Sequence, residues 1–325
     1  MFLASSSNNT LVGNTISHNV GSIRLGGSDN NTLKENTISN NSGDESILLS
    51  YSDNNTIEGN IISNSSNIAV WLYYARNNTL ANNTIINTYT VAIAVYPASD
   101  NNIVGNILSD NGYAIFLDDC RNNTLVGNTI TNNSVMGIYF GSSSNNTIYN
   151  NYLNNTHNVY DDGNNIWNIS KTPGTNIIGG PYLGGNYWSD YSGIDIDGDG
   201  LGDTNLPYNS SGSILNGGDW HPLTDVNTLD AGIIDSNIHD GDTGYIGSDT
   251  LNVTLENLGT LDIAFIVNFT LERETQSGWV EIVKDENGYE LDPEAWVESF
   301  FDVCYDVEGE YRATFILKAS DGGSW

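Results

Sequence analysis

The sequence is poor in cysteine, in basic residues and in long apolar runs. Only two cysteines, Cys120 and Cys304, occur among 325 residues, so no disulfide framework and no thiolate metal cluster is expected. Nine Lys and Arg residues against 40 Asp and Glu residues give a net charge of −31, which excludes broad binding to nucleic-acid phosphates. Because no apolar run is long enough to cross a bilayer, we expect no transmembrane segment.

Asparagine and glycine are abundant instead. The chain contains 49 Asn and 34 Gly, and most of the Asn residues lie in the first two thirds of the sequence. Both residue types are poor helix formers and good turn formers. The composition therefore predicts an all-β, turn-rich protein.

A repeat of about 23 residues organises the first half of the chain. The motif Asn-Asn-Thr-Leu or a close variant starts at Asn8, Asn30, Asn54, Asn77, Asp100, Asn122 and Asn145. Six residues after each start stands an asparagine: Asn14, Asn36, Asn60, Asn83, Asn106, Asn128 and Asn151. A period of this length is typical of solenoids, in which each unit stacks on its neighbours.

Four apolar columns recur in register with the motif. Two of them lie before it, at Met1, Ile23, Ile47, Val70, Ile93, Ile115 and Ile138, and at Leu3, Leu25, Leu49, Leu72, Val95, Leu117 and Phe140. Two lie after it, at Leu11, Leu33, Ile57, Leu80, Ile103, Leu125 and Ile148, and at Ile16, Ile38, Ile62, Ile85, Leu108, Ile130 and Leu153. The columns predict a right-handed parallel β-helix of seven to eight coils over residues 1–170, with a ladder of stacked Asn amides in one turn.

An aspartate-rich segment follows, within a cap predicted for residues 171–224. Its carboxylates occupy positions 1, 3, 5 and 9 of a loop, and the carbonyl of the seventh residue is a fifth donor, as in calcium-binding loops. The predicted structural calcium ligands are Asp195, Asp197, Asp199, Leu201 and Asp203. The twelfth position is not acidic, so a further ligand is expected from Asp219 or Asp190.

These motifs together resemble NosD-type β-helix proteins, which are common among archaeal surface and secreted proteins and belong to the wider class of carbohydrate-binding proteins and sugar hydrolases. The resemblance rests on the Asn-Asn-Thr repeat, the Asn-Tyr-Trp-Ser-Asp-Tyr segment at 186–191, the Asp loop and the segment 219–223. Copper insertion, from which the family takes its name, is not expected here, because the few His, Met and Cys residues are not clustered.

Residues 225–325 have a different composition, with alternating strands separated by turn signals. They predict a β-sandwich that resembles immunoglobulin-like, adhesion-related domains of prokaryotic surface proteins. The first apolar column already begins at Met1, and the last predicted strand ends close to Trp325. From this we expect a fragment of a longer exported protein, located outside the cell or at its surface.

The outward positions of one predicted sheet decide between two functions. They carry the aromatic residues Trp71, Tyr73, Tyr96, Phe116 and Tyr139, which suit contact with a polysaccharide or another surface protein. The alternative is that a loop or the C-terminal module covers these rings, or that they only reflect the propensity of aromatic residues for strands. Carboxylates are few at these positions, with Asp118 in the sheet and Asp119 beside it as candidates for sugar cleavage. The favoured function is a non-catalytic structural or adhesive protein, and the alternative is a polysaccharide lyase, hydrolase or epimerase.

Overall fold

The computed structural model describes residues 1–21, 23–196, 198–224, 231–236, 247–257, 263–275, 278–291, 296–305 and 311–319. The chain divides into two compact units, Met1–Val226 and Asn227–Trp325. Each unit is described by itself. Within the described ranges, no helix is long and apolar enough to cross a membrane.

The first unit is a parallel β-helix, which confirms the fold predicted from the repeat. Each of the first seven coils contributes one strand to each of three parallel sheets, and the eighth adds a strand to two of them. Sheet 1 contains the longest strands, in the order Phe2–Ala4, Ile23–Gly26, Glu45–Ser50, Ile68–Tyr73, Val91–Tyr96, Tyr113–Asp118, Met136–Gly141 and Val159–Asp161.

Sheets 2 and 3 are built from shorter strands. Sheet 2 comprises Thr10–Val12, Thr32–Lys34, Thr56–Glu58, Thr79–Ala81, Asn102–Val104, Thr124–Val126 and Thr147–Tyr149. Sheet 3 comprises Thr15–Ser17, Thr37–Ser39, Ile61–Ser63, Thr84–Ile86, Ile107–Ser109, Thr129–Thr131, Tyr152–Asn154 and Tyr187–Trp188. The last strand of sheet 3 comes from the cap, so the cap continues the stack of coils.

The four apolar columns form the interior of the coils, as predicted. All of their members are buried except Met1, Leu3 and Ile16 in the first coil. Like side chains stack on adjacent coils about 4.8 Å apart. Cys120 lies in the same interior, where burial raises the pKa of its thiol to about 12.

Turns between the sheets use left-handed backbone at fixed places in every coil. The repeat's first residue has a positive φ in all seven coils, for example 58° at Asn54 and 60° at Asp100. The column five residues later, filled by Gly, Asn or Glu, is also left-handed, as predicted. Glycine and asparagine tolerate this conformation better than other residues, and this accounts for their abundance.

Stacked Asn amides join the coils at their corners. In the predicted ladder, Asn83 donates from its backbone N and its Nδ2 to Oδ1 of Asn106, at 2.9 and 3.0 Å. Asn106 repeats the pattern on Asn128, and its Nδ2 also donates to the carbonyl of Leu80. A second complete ladder runs from Asn9 to Asn165, and a partial third reaches Asn158. The amides satisfy backbone carbonyls that the turns would otherwise leave unpaired.

Each ladder ends on a carboxylate at the last coil. The Nδ2 atoms of three terminal asparagines donate to aspartates, in the pairs Asn165 to Asp161 at 2.8 Å, Asn186 to Asp219 at 3.3 Å and Asn158 to Asp190 at 2.7 Å. Asp161 and Asp219 are fully buried. These aspartates also accept from the indole Nε1 atoms of two core tryptophans, Trp167 and Trp188 respectively.

Those tryptophans close the end of the interior. Trp167 packs on Phe140 with ring centroids 5.8 Å apart, Trp188 packs on Trp167 at 5.4 Å, and Tyr208 packs on Trp188 at 5.0 Å. The cap also contains a small antiparallel pair, Thr172–Pro173 with Tyr182–Leu183, and a short 3₁₀ turn, Ser210–Gly212.

The second unit contains two antiparallel sheets of three strands. One sheet pairs Ala231–Ser236, Gly247–Asn257 and Trp296–Tyr305, and the other pairs Gly278–Leu291, Ile263–Thr275 and Tyr311–Ala319. Phe269, Phe301 and Phe315 pack together, with ring centroids 4.8 to 5.8 Å apart. An immunoglobulin-like arrangement of this unit stays a prediction.

Candidate functional site

The outward residues of sheet 1 fall where the repeat predicts them. Trp71 is in register with Ala94, Ala94 with Phe116, and Phe116 with Tyr139, so these side chains form one column on consecutive coils. In the neighbouring column, Tyr73 is in register with Tyr96. All five predicted aromatic residues are at least partly exposed, so they are not core residues.

Four further tyrosines extend this set beyond the sequence prediction. We define the aromatic surface as Tyr51, Trp71, Tyr73, Tyr74, Tyr96, Tyr113, Phe116, Tyr139 and Tyr160. Its rings form two groups, on either side of Ala94. In the first group Tyr73 contacts Trp71 at a centroid distance of 5.5 Å and Tyr96 at 6.3 Å. The second group contains Tyr113, which packs edge-on against Phe116 and Tyr139, and a stack of three rings.

The stack consists of Phe116, Tyr139 and Tyr160. Their ring centroids are 4.6 and 5.3 Å apart, with interplanar angles of 7° and 15°. The inner ring faces are therefore covered by neighbouring rings, and the ring edges and hydroxyl groups are presented to solvent. A ligand would meet a ridged surface of edges and phenol groups here, rather than one flat platform.

Tyr51 and Tyr74 stand out because their backbones are left-handed. Their φ angles are 49° and 50°, at a turn position where other coils carry Gly27, Asp119 or Ser142. A bulky residue in this conformation costs about 1–2 kcal/mol. The two rings stack at 5.0 Å with an interplanar angle of 1°, yet their exposed fractions are 60% and 43%. Strained residues with exposed rings are more often found at functional sites than at sites selected for stability.

The strands that carry the aromatic surface lack positive charge, and Arg76 and Arg121 are exposed in the turns that follow two of them. The six strands of sheet 1 from Glu45–Ser50 to Val159–Asp161 contain no Lys or Arg. Arg24, one strand earlier, forms an ion pair with the buried Glu45. Burial raises the pKa of Glu45, and the Arg24 guanidinium opposes that rise. An anionic ligand would thus find no free cation on these six strands.

Carboxylates gather at one end of the aromatic surface, around Gly141. A Cβ atom at Gly141 would lie 2.9 Å from Asp118 Oδ1 and 3.2 Å from the Tyr139 hydroxyl, so both groups lean over the glycine. Asp162 follows the registered pair Phe140 and Asp161 and accepts from the backbone N of Ser142 at 2.7 Å. Burial raises the pKa of Tyr139, and the nearby Asp162 and Asp118 charges raise it further.

Asp162 is a residue that reasoning from the sequence missed. The period fades before it, because the eighth coil is shortened, so its place beside Asp118 could not be read from the repeat. Asp119, the other predicted acid, occupies a left-handed turn with φ 52° and is exposed. The structure thus places Asp118 in the sheet, Asp119 at the adjoining turn and Asp162 two coils further along the outward column.

Carboxylates of the predicted calcium loop accept hydrogen bonds from backbone N–H groups of the same loop. Asp195 is buried, and its carboxylate accepts from the backbone N atoms of Gly198 and Gly200 at 2.8 and 2.6 Å. Asp203 accepts from the backbone N of Ile196 at 2.8 Å. Asp199 pairs with Lys171. Asp197 lies outside the described residues, and without it no three acidic, His or Cys side chains of the described chain gather as a metal site.

The two acids proposed as additional calcium ligands, Asp219 and Asp190, accept hydrogen bonds at the end of the β-helix. Asp219 accepts from the backbone N atoms of Asn186 and His221, at 2.7 and 3.0 Å, as well as from Trp188 Nε1. Asp190 accepts from Asn158. Both carboxylates thus take part in holding the end of the β-helix together, and the completion of the calcium loop by one of them stays a prediction.

Fold and surface together define a parallel β-helix protein with an exposed aromatic face. The chain belongs to the NosD family, whose model is described as a periplasmic copper-binding protein and matches residues 1–111 and 66–193. No curated protein matches the chain.

Several solved structures are similar to this chain. They include the periplasmic alginate epimerase AlgG, with 20% identity, a TM-score of 0.48 and coverage of 51% of this chain and 46% of that chain, and a point mutant of the same enzyme. The enzymatically active domain of bacteriophage CBA120 tailspike protein 4 has 11% identity and a TM-score of 0.21 over 95% of this chain and 50% of that one. The chain spans about half the length of these proteins. Similarity at this level carries no argument about activity.

Copper, which the family description mentions, does not fit the donors described in this chain. Copper sites use clustered His, Cys and Met ligands, with cysteine bound as thiolate. Cys120 is fully buried, its Sγ donates to the carbonyls of Val95 and Asp118, and its raised pKa keeps the thiol protonated. In the part of the chain that the structure describes, no three His, Cys, Asp or Glu side chains lie together.

Proposed function

We propose that the chain is an exported, non-catalytic β-helix protein that holds a polysaccharide on its aromatic surface. The observation that carries the proposal is a cluster of nine rings, three of them exposed and six half-buried, with two on left-handed backbone. Exposed apolar surface of this kind marks binding sites, and aromatic residues give large contact area at a small cost in side-chain entropy.

The charge of the surface favours an uncharged polysaccharide over a polyuronate. Asp118 and Asp162 lie on the outward column of sheet 1, and no cation is present on the six strands that carry the rings. A chain of carboxylated sugars would be repelled, whereas neutral sugars can pack on ring edges and hydrogen-bond to the tyrosine hydroxyls. Export is consistent with the periplasmic description of the family.

Polysaccharide binding can be tested by affinity electrophoresis or pull-down on a panel of insoluble neutral and acidic glycans. Replacing both Trp71 and Tyr96 by Ala should abolish retention while the melting temperature changes little, because both side chains are partly exposed. Tyr89 is 84% exposed and lies outside the aromatic surface, so the Tyr89→Ala variant is a matched control that should bind normally. Unchanged binding in the Trp71 and Tyr96 double variant would refute the proposal, as would capture of a protein partner without any glycan.

A second function is favoured by the carboxylates around Gly141. Cleavage of glycosidic bonds with inversion needs two carboxyl groups about 6.5–9.5 Å apart. Asp118 and Asp162 lie two coils apart, on strands separated by about 10 Å, with the Tyr139 hydroxyl between them. This is a better pair than Asp118 and Asp119, because the charges of Asp162 and Asp118 both act on the same Tyr139 hydroxyl.

Catalysis can be tested by measuring reducing ends and unsaturated products on neutral and polyuronate substrates. Turnover that disappears in both the Asp118→Asn and the Asp162→Asn variants would replace the binding proposal by an enzymatic one. The Asp119→Asn variant is the matched control. If it alone removed turnover, the pairing of Asp118 with Asp162 would be wrong.

We also propose that the loop of Asp195, Asp197, Asp199, Leu201 and Asp203 binds calcium as a structural ion. The supporting observation is that the Asp195 carboxylate is buried and accepts hydrogen bonds from the backbone N–H groups of Gly198 and Gly200. Calcium would neutralise the four carboxylates that lie within nine residues. Lys171 forms an ion pair with only one of them, Asp199.

A further inference from the structure

The Asn-x-Ser/Thr sequences of the repeat are explained neither by the aromatic surface nor by the calcium loop. Such sequences are acceptors for N-linked glycans when the asparagine is accessible. Inside a repeat built on Asn ladders they could be a by-product of the ladder. The structure separates the residue of each motif that forms the ladder from the residue that would carry a glycan.

The three positions of the motif have three different environments. In the coil of Asn77, Asn78 and Thr79, the middle residue Asn78 is the ladder amide and is fully buried, with its Nδ2 on Asn101 Oδ1 at 3.2 Å. The first residue, Asn77, lies at the turn with φ 53° and is exposed. Thr79 opens a strand of sheet 2 and faces outward, half-buried.

The same division holds along the whole corner. The exposed first residues with a hydroxyl two positions later are Asn8, Asn30, Asn54, Asn77, Asn122 and Asn145. Their side-chain amides make no hydrogen bond to any residue that the structure describes, and their φ angles lie between 53° and 62°. The ladder needs only the middle residue, so a glycan on the first would break none of its bonds.

We propose that these turn asparagines are acceptors of N-linked glycans in the folded chain. The inference rests on export, which is part of the proposed function. In the reaction, Nδ2 attacks C1 of a sugar carried by a lipid phosphate and loses a proton. The new N–C1 bond replaces the C1–O bond to the phosphate, and the lipid phosphate leaves.

Two consequences follow from the position of the column. Acceptors on neighbouring coils are about 4.8 Å apart, which is narrower than a branched oligosaccharide, so adjacent sites compete. In addition, no acceptor of this motif in residues 1–224 lies on a strand of sheet 1. Asn54 and Asn77 lie three residues after Tyr51 and Tyr74, so glycans at this corner would border the aromatic surface at those two rings and leave the rings on the strands of sheet 1 accessible.

The test uses the full chain, a purified oligosaccharyltransferase and a synthetic lipid-linked oligosaccharide, with glycopeptide mapping as the readout. The folded chain should gain glycans at Asn54, Asn77, Asn122 and Asn145. In the Asn77→Asp variant the turn should be preserved, because Asp100 occupies the same position in the next coil. This variant should carry no glycan at residue 77, and the occupancy of the neighbouring Asn54 should rise. The combined change of Asp100→Asn and Asn102→Thr should create a new site in the coil that lacks one.

Glycans found only after the chain is heat-unfolded, while a folded control protein with an exposed site is modified, would overturn the proposal. Full glycan occupancy of acceptors on adjacent coils of the folded chain would also overturn it, because acceptors about 4.8 Å apart are expected to compete. Loss of glycan acceptance would leave polysaccharide retention on the aromatic surface unchanged, so failure of this inference and failure of the proposed function can be told apart.

Discussion

The buried carboxylate of Asp219 should control both the stability of the cap and its pH dependence. Asp219 is fully buried and accepts from Asn186, His221 and Trp188. Burial raises its pKa from 3.8 to about 6, although the hydrogen bonds from Trp188 and Asn186 oppose that rise.

The magnitude of each effect follows from these contacts. In the Asp219→Ala variant four N–H groups lose this acceptor, and three of them, the backbone N and Nδ2 of Asn186 and Nε1 of Trp188, are buried, so we expect the free energy of unfolding to fall by about 3–5 kcal/mol. The folded state binds the proton more tightly than the unfolded state. Its stabilising contribution is therefore complete below about pH 3.8 and disappears as the pH rises through about 6. Lowering the pH from about 7.5 to about 5 should stabilise the β-helix by about 1.4 kcal/mol through this group.

The assay is urea unfolding followed by tryptophan fluorescence at both pH values, for the natural chain and for Asp219→Asn. The Asn variant has no titrating group at this position, and all other carboxylates are shared. The difference between the two free energies of unfolding should therefore shift in favour of the natural chain by about 1.4 kcal/mol at the lower pH. No shift, or a shift in the opposite direction, would show that the hydrogen bonds outweigh burial and that the carboxylate is ionised throughout.

Four other outcomes are expected. Asn106→Ala removes an acceptor from Asn83 and should lower the free energy of unfolding by about 3–5 kcal/mol, measured in urea, whereas an exposed Asn→Ala change elsewhere should cost about 0.5 kcal/mol or less. Cys120 should react with thiol reagents only after unfolding, because its pKa is raised to about 12, and rapid labelling of the native chain would contradict its burial. Chelation should lower the melting temperature of the unit containing the Asp195–Asp203 loop, since an ion at 100 times its Kd adds about 2.7 kcal/mol, and equal melting with and without calcium would remove the ion. Tyr74→Gly should keep or raise stability, by up to about 1 kcal/mol, while weakening polysaccharide retention; a clear loss of stability would show that the ring stack outweighs the backbone strain.

The β-helix was predictable because every coil repeats the same physical requirements. A column such as Leu25, Leu49 and Leu72 must be apolar, since like residues stack inside the coils. The residue before each ladder amide must adopt a positive φ, which favours Asn, Gly and Asp at that position, although Glu35 and His18 also occur there. Seven repetitions of these requirements make the pattern visible in a single sequence.

Much of the candidate site escaped prediction because it depends on where the repeat is broken. Asp162 joins Asp118 only because the eighth coil is shorter than the others, and the period gives no register for it. Tyr51 and Tyr74 occupy a turn position that propensity assigns to Gly, Asn or Asp, so their contribution to the aromatic surface could not be inferred. The partners of Asp219 are 31 to 33 residues away in sequence for Trp188 and Asn186, and no local pattern links them.

The amide ladders have a direction, because each asparagine donates towards the later coil and accepts from the earlier one. Such a column is a chain of aligned dipoles, with its positive end at the last coil, as at the N-terminus of an α-helix. A carboxylate at that end offers no N–H group, so it terminates the chain of donors and acceptors. Asp161, Asp190 and Asp219 thus terminate the ladders, because their charges neutralise the positive ends. They also leave no N–H donor with which a further coil, from this or another molecule, could continue the column.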